Sequence, residues 1–204
     1  MALHLLEHAV SEEALARIRD KASSPEEFRR LAHRLALLLV VEASRALPLR
    51  PVTVETPLEP AAAKRLGGRA VAVPILRAGL AMLPAFLEVL PEAVVGYVGL
   101  ARDEETAVAH RYYDNVPDCR GADVFLLDPM LATGGSARMA AEGLRGRGAR
   151  RTSLLSVVAA PEGVAHLEAA VPELDVYVAA LDRELNDRKY ILPGLGDFGD
   201  RVNG

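Results

Sequence analysis

The chain has 204 residues, half of them hydrophobic, which is enough for one domain with a sizeable core. The 24 Lys and Arg against 28 Asp and Glu give a net charge of -4 without a basic run, so composition excludes a disordered chain and argues against nucleic-acid or membrane partners. A lone Cys119 cannot form an internal disulfide, and the sequence has neither a basic signal segment nor a long apolar run. We therefore expect a cytoplasmic protein with a small ligand.

Residues 1–46 are predicted to form two helices. Ser24 is a typical N-cap for the second, and Glu27 is expected to reach back and complete a capping box. The first helix has a similar start at Ser11. Four apolar residues recur at helical spacing in the second helix and define one buried stripe: Phe28, Leu31, Leu35 and Leu38.

From residue 69 onward, apolar runs of strand length alternate with helical stretches. The runs are AVAVPI, AVVGYVGL, DVFLLD, TSLLSVVAA and DVYVAAL. Continuous apolar runs indicate strands covered on both faces, joined by helical crossovers. The sequence therefore predicts an α/β fold with a doubly wound, mainly parallel sheet and flanking helices, in which ligands bind beyond the carboxyl ends of the strands. Residues 102–119 are polar and lack a clear period, so we expect a long mobile loop there.

The most informative segment follows the third run, which ends at Asp128. A small-residue loop enters an Ala-rich helix, whose first amides and positive dipole end suit a phosphate, and Gly134 and Gly135 allow close backbone approach. Thr133 and Ser136 add hydroxyl groups. An acid just before the loop suits sugar hydroxyls or a divalent cation, so the segment predicts a site for a phosphorylated ribose. An ordinary strand-to-helix turn is the alternative.

Two other nucleotide signatures are excluded. No Lys follows the glycines of the loop, which argues against a Walker loop and ATP hydrolysis. The pattern G-x-G-x-x-G does occur at residues 194–199, but we expect neither a strand before it nor a helix after it. A dinucleotide site is therefore not predicted.

Three segments, in order, resemble the uracil phosphoribosyltransferase family: PILRAG at 74–79, DPMLATGGS at 128–136 and YILPGLGD at 190–197. The resemblance runs from the Phe28 helix to residue 204. It implies transfer of the 5-phosphoribosyl group from phosphoribosyl pyrophosphate (PRPP) to uracil, giving UMP and pyrophosphate, a pyrimidine-salvage reaction that depends on Mg²⁺ and has an oxocarbenium-like transition state.

The domain organisation expected on this basis is one domain over residues 1–204. Within it, the N-terminal helices occupy residues 1–46 and the α/β core residues 69–181. A base-binding hood occupies residues 182–204.

The resemblance also implies roles for individual residues. Asp128 would hold the ribose hydroxyls, the loop amides the 5′-phosphate, and Arg77 and Arg102 the pyrophosphate, with Asp197 completing the catalytic set. The implied PRPP-binding set is Arg77, Arg102, Asp128, Pro129, Met130, Leu131, Ala132, Thr133, Gly134, Gly135, Ser136 and Asp197. Mg²⁺ would bind through PRPP and water, without a direct protein ligand. Each arginine could instead be a surface cation, and Arg102 could pair with the acids that follow it.

Uracil would be recognised by Ile191, Gly196, Asp197 and Phe198, mainly through the main chain. Family members have GDAGD where this chain has GDFGD. A Phe198 side chain in the pocket would crowd the base, and we expect it to point away. The loop with Arg77 contains a non-proline cis peptide in the family.

Several alternatives stay open at this point. The base could be a purine or orotate, or the protein could be a pyrimidine-sensing RNA-binding regulator of the same fold. Tyr112 and Tyr113 could cover bound substrates or anchor a surface hairpin. The family forms homodimers or homotetramers, and the N-terminal helices could be an interface or could cover the sheet. Some relatives respond to GTP as an allosteric effector, although no residue here defines such a site.

Overall fold

The computed structural model describes residues 1–102 and 109–204, without the side chains of Arg102 and Ala109. The N-terminal elements are β1 (Leu3–Leu5), α1 (Ala9–Arg19), α2 (Pro25–Ser44), β2 (Leu49–Glu55) and β3 (Pro60–Leu66). They are followed by β4 (Ala70–Leu76), a 3₁₀ helix (Ala78–Met82), α3 (Leu83–Val89), β5 (Val94–Val95), β6 (Tyr97–Arg102), β7 (Ala109–Asn115), β8 (Asp123–Leu127) and β9 (Met130–Leu131). The remainder comprises α4 (Gly135–Arg145), β10 (Arg151–Ala159), α5 (Pro161–Ala170), β11 (Asp175–Leu181), β12 (Glu184–Leu185), β13 (Ile191–Leu192) and α6 (Phe198–Asn203).

The central sheet has the strand order β1–β11–β10–β8–β4–β6–β7 within the described ranges, with β5 beside β4 and β9 beside β10. The five predicted runs all form strands of this sheet, and β4, β8, β10 and β11 pair in parallel. Pro74 pairs with Leu127, and Leu127 pairs with Leu155. The mainly parallel α/β fold predicted from the sequence is confirmed, and β4 and β8 end at a shared edge.

Helices cover both faces of the sheet. The stripe of α2 is buried against it, with Phe28, Leu31, Leu35 and Leu39 at most 1% exposed. Leu38, which the sequence placed in the stripe, is only partly buried. On the opposite face, α4 and α5 pack with Ala140, Leu144 and Leu167 inward. The α2 stripe therefore covers the sheet. Separately, in the described part of the chain no helix is long and apolar enough to cross a membrane.

Two expectations about the N-terminal helices are corrected. The first helix begins at Ala9, and its cap is His8, whose Nδ1 accepts from the Val10 amide at 3.1 Å. Ser11 is buried inside the helix, and its hydroxyl donates to a backbone carbonyl. In α2 the Ser24 hydroxyl does cap the Glu27 amide at 3.2 Å, but the Glu27 carboxylate binds Arg17 instead of reaching back.

Besides the two-residue strands described below with the candidate site, three strand regions were missed from the sequence. These are β1 at the sheet edge, the β2–β3 hairpin, and β7, which pairs antiparallel with β6. The strand β7 lies in residues 102–119, which the sequence predicted to be a loop. Tyr112 and Tyr113 lie on it and are exposed, so they belong to a surface hairpin.

Candidate active site

The predicted phosphate loop follows β8 at the carboxyl edge of the sheet. Pro129 is buried, and its carbonyl accepts from the amides of Val157 and Val158 on β10. The next two residues form β9, which the sequence did not predict. A pocket of about 50 Å³ lies at this loop and the start of α4, and it is lined by Asp128 and residues 130–137. The structure therefore brings the acid and the loop together.

Gly134 has a backbone conformation that the loop requires. Its φ is 78°, in the left-handed region, and a Cβ there would lie 2.9 Å from the carbonyl oxygen of Gly163. Because a glycine occupies the N-cap of α4, no cap side chain accepts from the first amides of that helix. A Cβ on Gly135 would meet nothing closer than 3.8 Å, so Gly135 is not needed for close packing. The geometry suits an anion at the helix start.

Asp128 is fixed to β10 by its main chain. Its amide donates to the Leu155 carbonyl at 3.2 Å, and its carbonyl accepts from the Ser156 hydroxyl at 2.6 Å. Burial raises the pKa of the Asp128 carboxyl to about 7, and a hydrogen bond from the Met130 amide acts in the opposite direction. The carboxyl is therefore partly protonated near neutral pH before substrate binds.

This raised pKa predicts a pH-dependent stability. The folded state holds the Asp128 proton more tightly than the unfolded state, so this contribution is full below about pH 4 and is lost as pH rises through about 7. We expect the stability of the wild type relative to Asp128→Asn to fall from pH 5 to pH 8, by at most about 3 kcal/mol. Urea unfolding at several pH values measures this difference, and parallel stability curves would contradict it.

Arg77 directly follows β4, whose carboxyl end lies next to that of β8. It is exposed, and its side chain forms no hydrogen bond or ion pair with another described residue. The Leu76–Arg77 peptide is cis, as the resemblance implied. The turn packs closely against the end of β8, since a Cβ on Gly79 would lie 2.2 Å from the Leu127 carbonyl oxygen. Arg102 ends the neighbouring β6, and its proposed pyrophosphate contact lies outside the described residues.

The predicted base-recognition residues extend from β13 to the first residue of α6. Ile191 is 5% exposed, and Gly196 has a φ of 83°. Asp197 caps α6, its carboxylate accepting from the Asp200 amide at 2.9 Å. The G-x-G-x-x-G pattern thus has a strand before it and a helix within it, contrary to expectation. The strand is two residues long and antiparallel to β12, so the dinucleotide site stays excluded.

The side chain of Phe198 is an anchor in the core. It is 1% exposed and packs edge-on against Phe28 of α2, with 5.1 Å between ring centroids. The ring is therefore held in the core, and its direction relative to the base stays a prediction.

Phe198→Ala is expected to reduce the free energy of unfolding by about 3–5 kcal/mol, because it leaves a cavity beside Phe28. Leu58→Ala, at a side chain 95% exposed, is the matched control and should change it by less than about 0.5 kcal/mol. Denaturant titration of both variants provides the comparison, and equal effects would contradict the anchoring role.

Residues 182–204 pack on the same apolar core as the phosphate loop. Ile191, Leu195 and Phe198 belong to the same apolar cluster that Met130 and Ala132 pack against. The Glu162 carboxylate of α5 accepts from the Leu185 amide of β12 at 2.8 Å. The structure therefore places the predicted phosphate and base segments against one core.

Sequence reasoning missed three residues that shape these segments. Gly163 packs on the loop at Ala132, and Arg19 and Asp182 bind the main chain of Gly194. A charged pair separated by 163 positions has no local signal. Among the described residues, no group of three or more His, Cys, Asp or Glu side chains is placed to bind a metal ion.

A doubly wound sheet with a half-buried acid and a small-residue loop at its carboxyl edge is typical of the type I phosphoribosyltransferase fold. A hypoxanthine-guanine phosphoribosyltransferase from Bacillus anthracis has the same fold, with a TM-score of 0.52 over 75% of this chain and 78% of its own, at 9% identity. A solved structure from Aquifex aeolicus matches with a TM-score of 0.93 and 37% identity over 98% of this chain and 97% of its own.

The family model for uracil phosphoribosyltransferase matches residues 5–204. The uracil phosphoribosyltransferases of Lacticaseibacillus paracasei and Thermus thermophilus are 48% and 47% identical to this chain. The first match covers 98% of the chain and 97% of the relative, and the second 100% and 99%. The chain belongs to the uracil phosphoribosyltransferase family, and the family and the enzyme class predicted from its three motifs are confirmed.

Proposed function

We propose that the enzyme transfers the 5-phosphoribosyl group of PRPP to uracil, giving UMP and pyrophosphate, with the phosphate loop and the hood as its two substrate sites. The observation that carries this is the pocket at the start of α4, where Asp128 and residues 130–137 meet. Amides at a helix start bind an anion, and the adjacent carboxylate binds the sugar. Family membership adds uracil as the acceptor.

In the proposed reaction, residues 132–136 hold the 5′-phosphate, and Asp128 accepts hydrogen bonds from the ribose hydroxyls. As the bond from C1′ to pyrophosphate lengthens, positive charge develops on the ring and negative charge on the leaving group. Asp128, when ionised, stabilises the positive charge on the ring. Arg77 and Arg102 stabilise the negative charge on the leaving pyrophosphate. Groups fixed before the reaction favour the transition state over the bound substrate.

Mg²⁺ enters this proposal as a complex with PRPP. In proteins Mg²⁺ usually keeps several water ligands, and its other ligands are substrate phosphates and one or two carboxylates. The site fits such an ion, because Asp128 is a single carboxylate beside a phosphate pocket and would contact it through water. When bound, Mg²⁺ would neutralise charge on the pyrophosphate.

Uracil recognition is assigned to the main chain of Ile191, Gly196 and Phe198, with Asp197 near the PRPP site. Uracil alternates carbonyl and NH groups along one edge, which match peptide donors and acceptors. Cytosine would leave some of them unpaired, and that costs binding energy. The buried Phe198 ring leaves only its amide for the base.

A panel of bases tests the proposal. Wild-type enzyme with PRPP and Mg²⁺ is expected to release pyrophosphate and form UMP with uracil, and to do neither with orotate, cytosine, hypoxanthine or guanine. Product with a purine or orotate instead of uracil would overturn the acceptor assignment. Tight, salt-sensitive RNA retention in a filter assay without UMP formation would favour a regulatory role.

Assembly, regulation and location are also proposals. The family resemblance supports a homodimer or homotetramer and a response to GTP. The lone Cys119 supports a cytoplasmic location. Light scattering with and without GTP, alongside UMP assays, tests the first two.

A further inference from the structure

The base segment, defined as residues 191–198, is tied to the first helix by a buried charged pair. Arg19, the last residue of α1, donates to both carboxylate oxygens of Asp182, with Nη1–Oδ2 at 2.9 Å and Nη2–Oδ1 at 2.6 Å. The Asp182 side chain is 4% exposed and that of Arg19 is 23% exposed. A two-bond arginine–carboxylate contact of this kind fixes orientation as well as distance.

Both members of the pair also bind the main chain of Gly194. The Gly194 amide donates to Asp182 Oδ2 at 2.8 Å, and the Gly194 carbonyl accepts from Arg19 Nη1 at 2.7 Å. These contacts fix the peptide groups on both sides of the Gly194 Cα. Its φ is 63°, and a Cβ would lie 2.2 Å from the Ile191 carbonyl oxygen, so the turn requires glycine.

A second arginine holds the next residues of the base segment against the same helix. Arg201 Nη1 donates to the Leu195 carbonyl at 3.0 Å and to the Ile18 carbonyl at 2.5 Å, and Nη2 donates to the Asp20 carbonyl at 2.6 Å. Its guanidinium also lies 4.6 Å from the ring centre of Phe28. The C-terminal end of α1 is therefore the common anchor of the segment.

We propose that Arg19 and Asp182 are positioning residues for uracil recognition, acting through Gly194 on the peptide groups of the base segment. This inference rests on the proposed function, in which that segment binds the base. Peptide groups discriminate one base edge from another only when their directions are fixed before binding, and an unfixed segment loses affinity to ordering. Neither residue lines the phosphate pocket, so the pair should not act on PRPP binding.

Arg19→Lys and Asp182→Asn test the proposal, because each removes the two-bond contact with little change in size. The KM for uracil is expected to rise about tenfold or more, with the KM for PRPP within about twofold of wild type. Without substrates, hydrogen exchange of the amides in residues 191–198 should be about tenfold faster. Arg17→Lys is the matched control, since Arg17 is on the same helix and pairs with Glu13 and Glu27.

Arg19→Ala with added guanidinium gives a further readout. Partial recovery of the uracil KM would support the role of the lost group. Uracil KM and exchange rates equal to those of Arg17→Lys would overturn the inference. An equal rise in both KM values with a lower Tm would also overturn it, by assigning the pair to general stability. A wild type that forms no UMP would overturn the proposed function as well, whereas unaffected variants of an active wild type overturn this inference alone.

Discussion

Asn in place of Asp128 is expected to lower kcat for UMP formation by about 100-fold or more. The amide keeps the size of the carboxylate and one acceptor, but it carries no charge to stabilise the positive ring of the transition state. The loss should appear in kcat more than in the KM for PRPP, because the charge develops only as the bond breaks. Steady-state assays of pyrophosphate release measure both parameters.

Asp118→Asn is the matched control for this variant. Asp118 is exposed, and hydrogen bonds from Arg120 keep the pKa of its carboxyl low. The kcat of the Asp118→Asn variant should remain within about twofold of wild type, since loss of the exposed ion pair between Asp118 and Arg120 changes stability little. Near-wild-type UMP formation by Asp128→Asn, with an unchanged circular dichroism spectrum, would remove Asp128 from the catalytic site.

Gly163→Ala is expected to displace the phosphate loop. A Cβ at this position of α5 would lie 2.3 Å from the carbonyl oxygen of Ala132, far inside van der Waals contact. The backbone of the loop must move to relieve this overlap, and its amides move with it. Because a shift of about 1 Å can reduce catalysis about 100-fold, we expect that loss in kcat/KM for PRPP. Overpacking should also destabilise the fold by about 1–3 kcal/mol.

Gly146→Ala provides the comparison. Gly146 follows α4 with a φ of -67°, and a Cβ there would meet no atom within 4 Å. Calorimetric PRPP titrations and thermal unfolding of both variants should separate them, with Gly146→Ala close to wild type. If Gly163→Ala bound PRPP as tightly as Gly146→Ala does, the contact with Ala132 would not set the loop position.

The sequence predicted the parts of the fold whose signal is local and apolar. The buried strands β4, β8, β10 and β11 are continuous hydrophobic runs, and each was found. The strand β7 contains AHRYYDN and lies at a solvated edge, so its pattern resembles a polar loop. Strand β1 has three residues and is defined by its partner β11, which no nearby residue indicates.

The candidate site divides in the same way. Asp128, Thr133 and Gly134 are close in sequence, so a strand followed by a small-residue loop is enough to predict their pocket. The carbonyls of Pro129 and Leu131, both in the predicted PRPP-binding set, accept from amides of β10 and of Ala160, contacts that the sequence did not indicate. The contact between Gly163 and Ala132 depends on the packing of α5, and the pair of Arg19 and Asp182 joins opposite ends of the chain. Such contacts follow from the completed fold.

The pairing of β1 with β11 has a consequence for synthesis of the protein. Leu3 lies beside Val176, and Arg19 binds an acid 163 positions later. On the ribosome, Leu3 and Arg19 must therefore wait without these partners until the segment from Val176 to Asp182 has been translated. Completion of the edge strand and of the α1 anchor thus depends on distant segments made later, and a polypeptide that stopped before Gly194 would lack the contacts of Arg19 and Asp182 with that glycine.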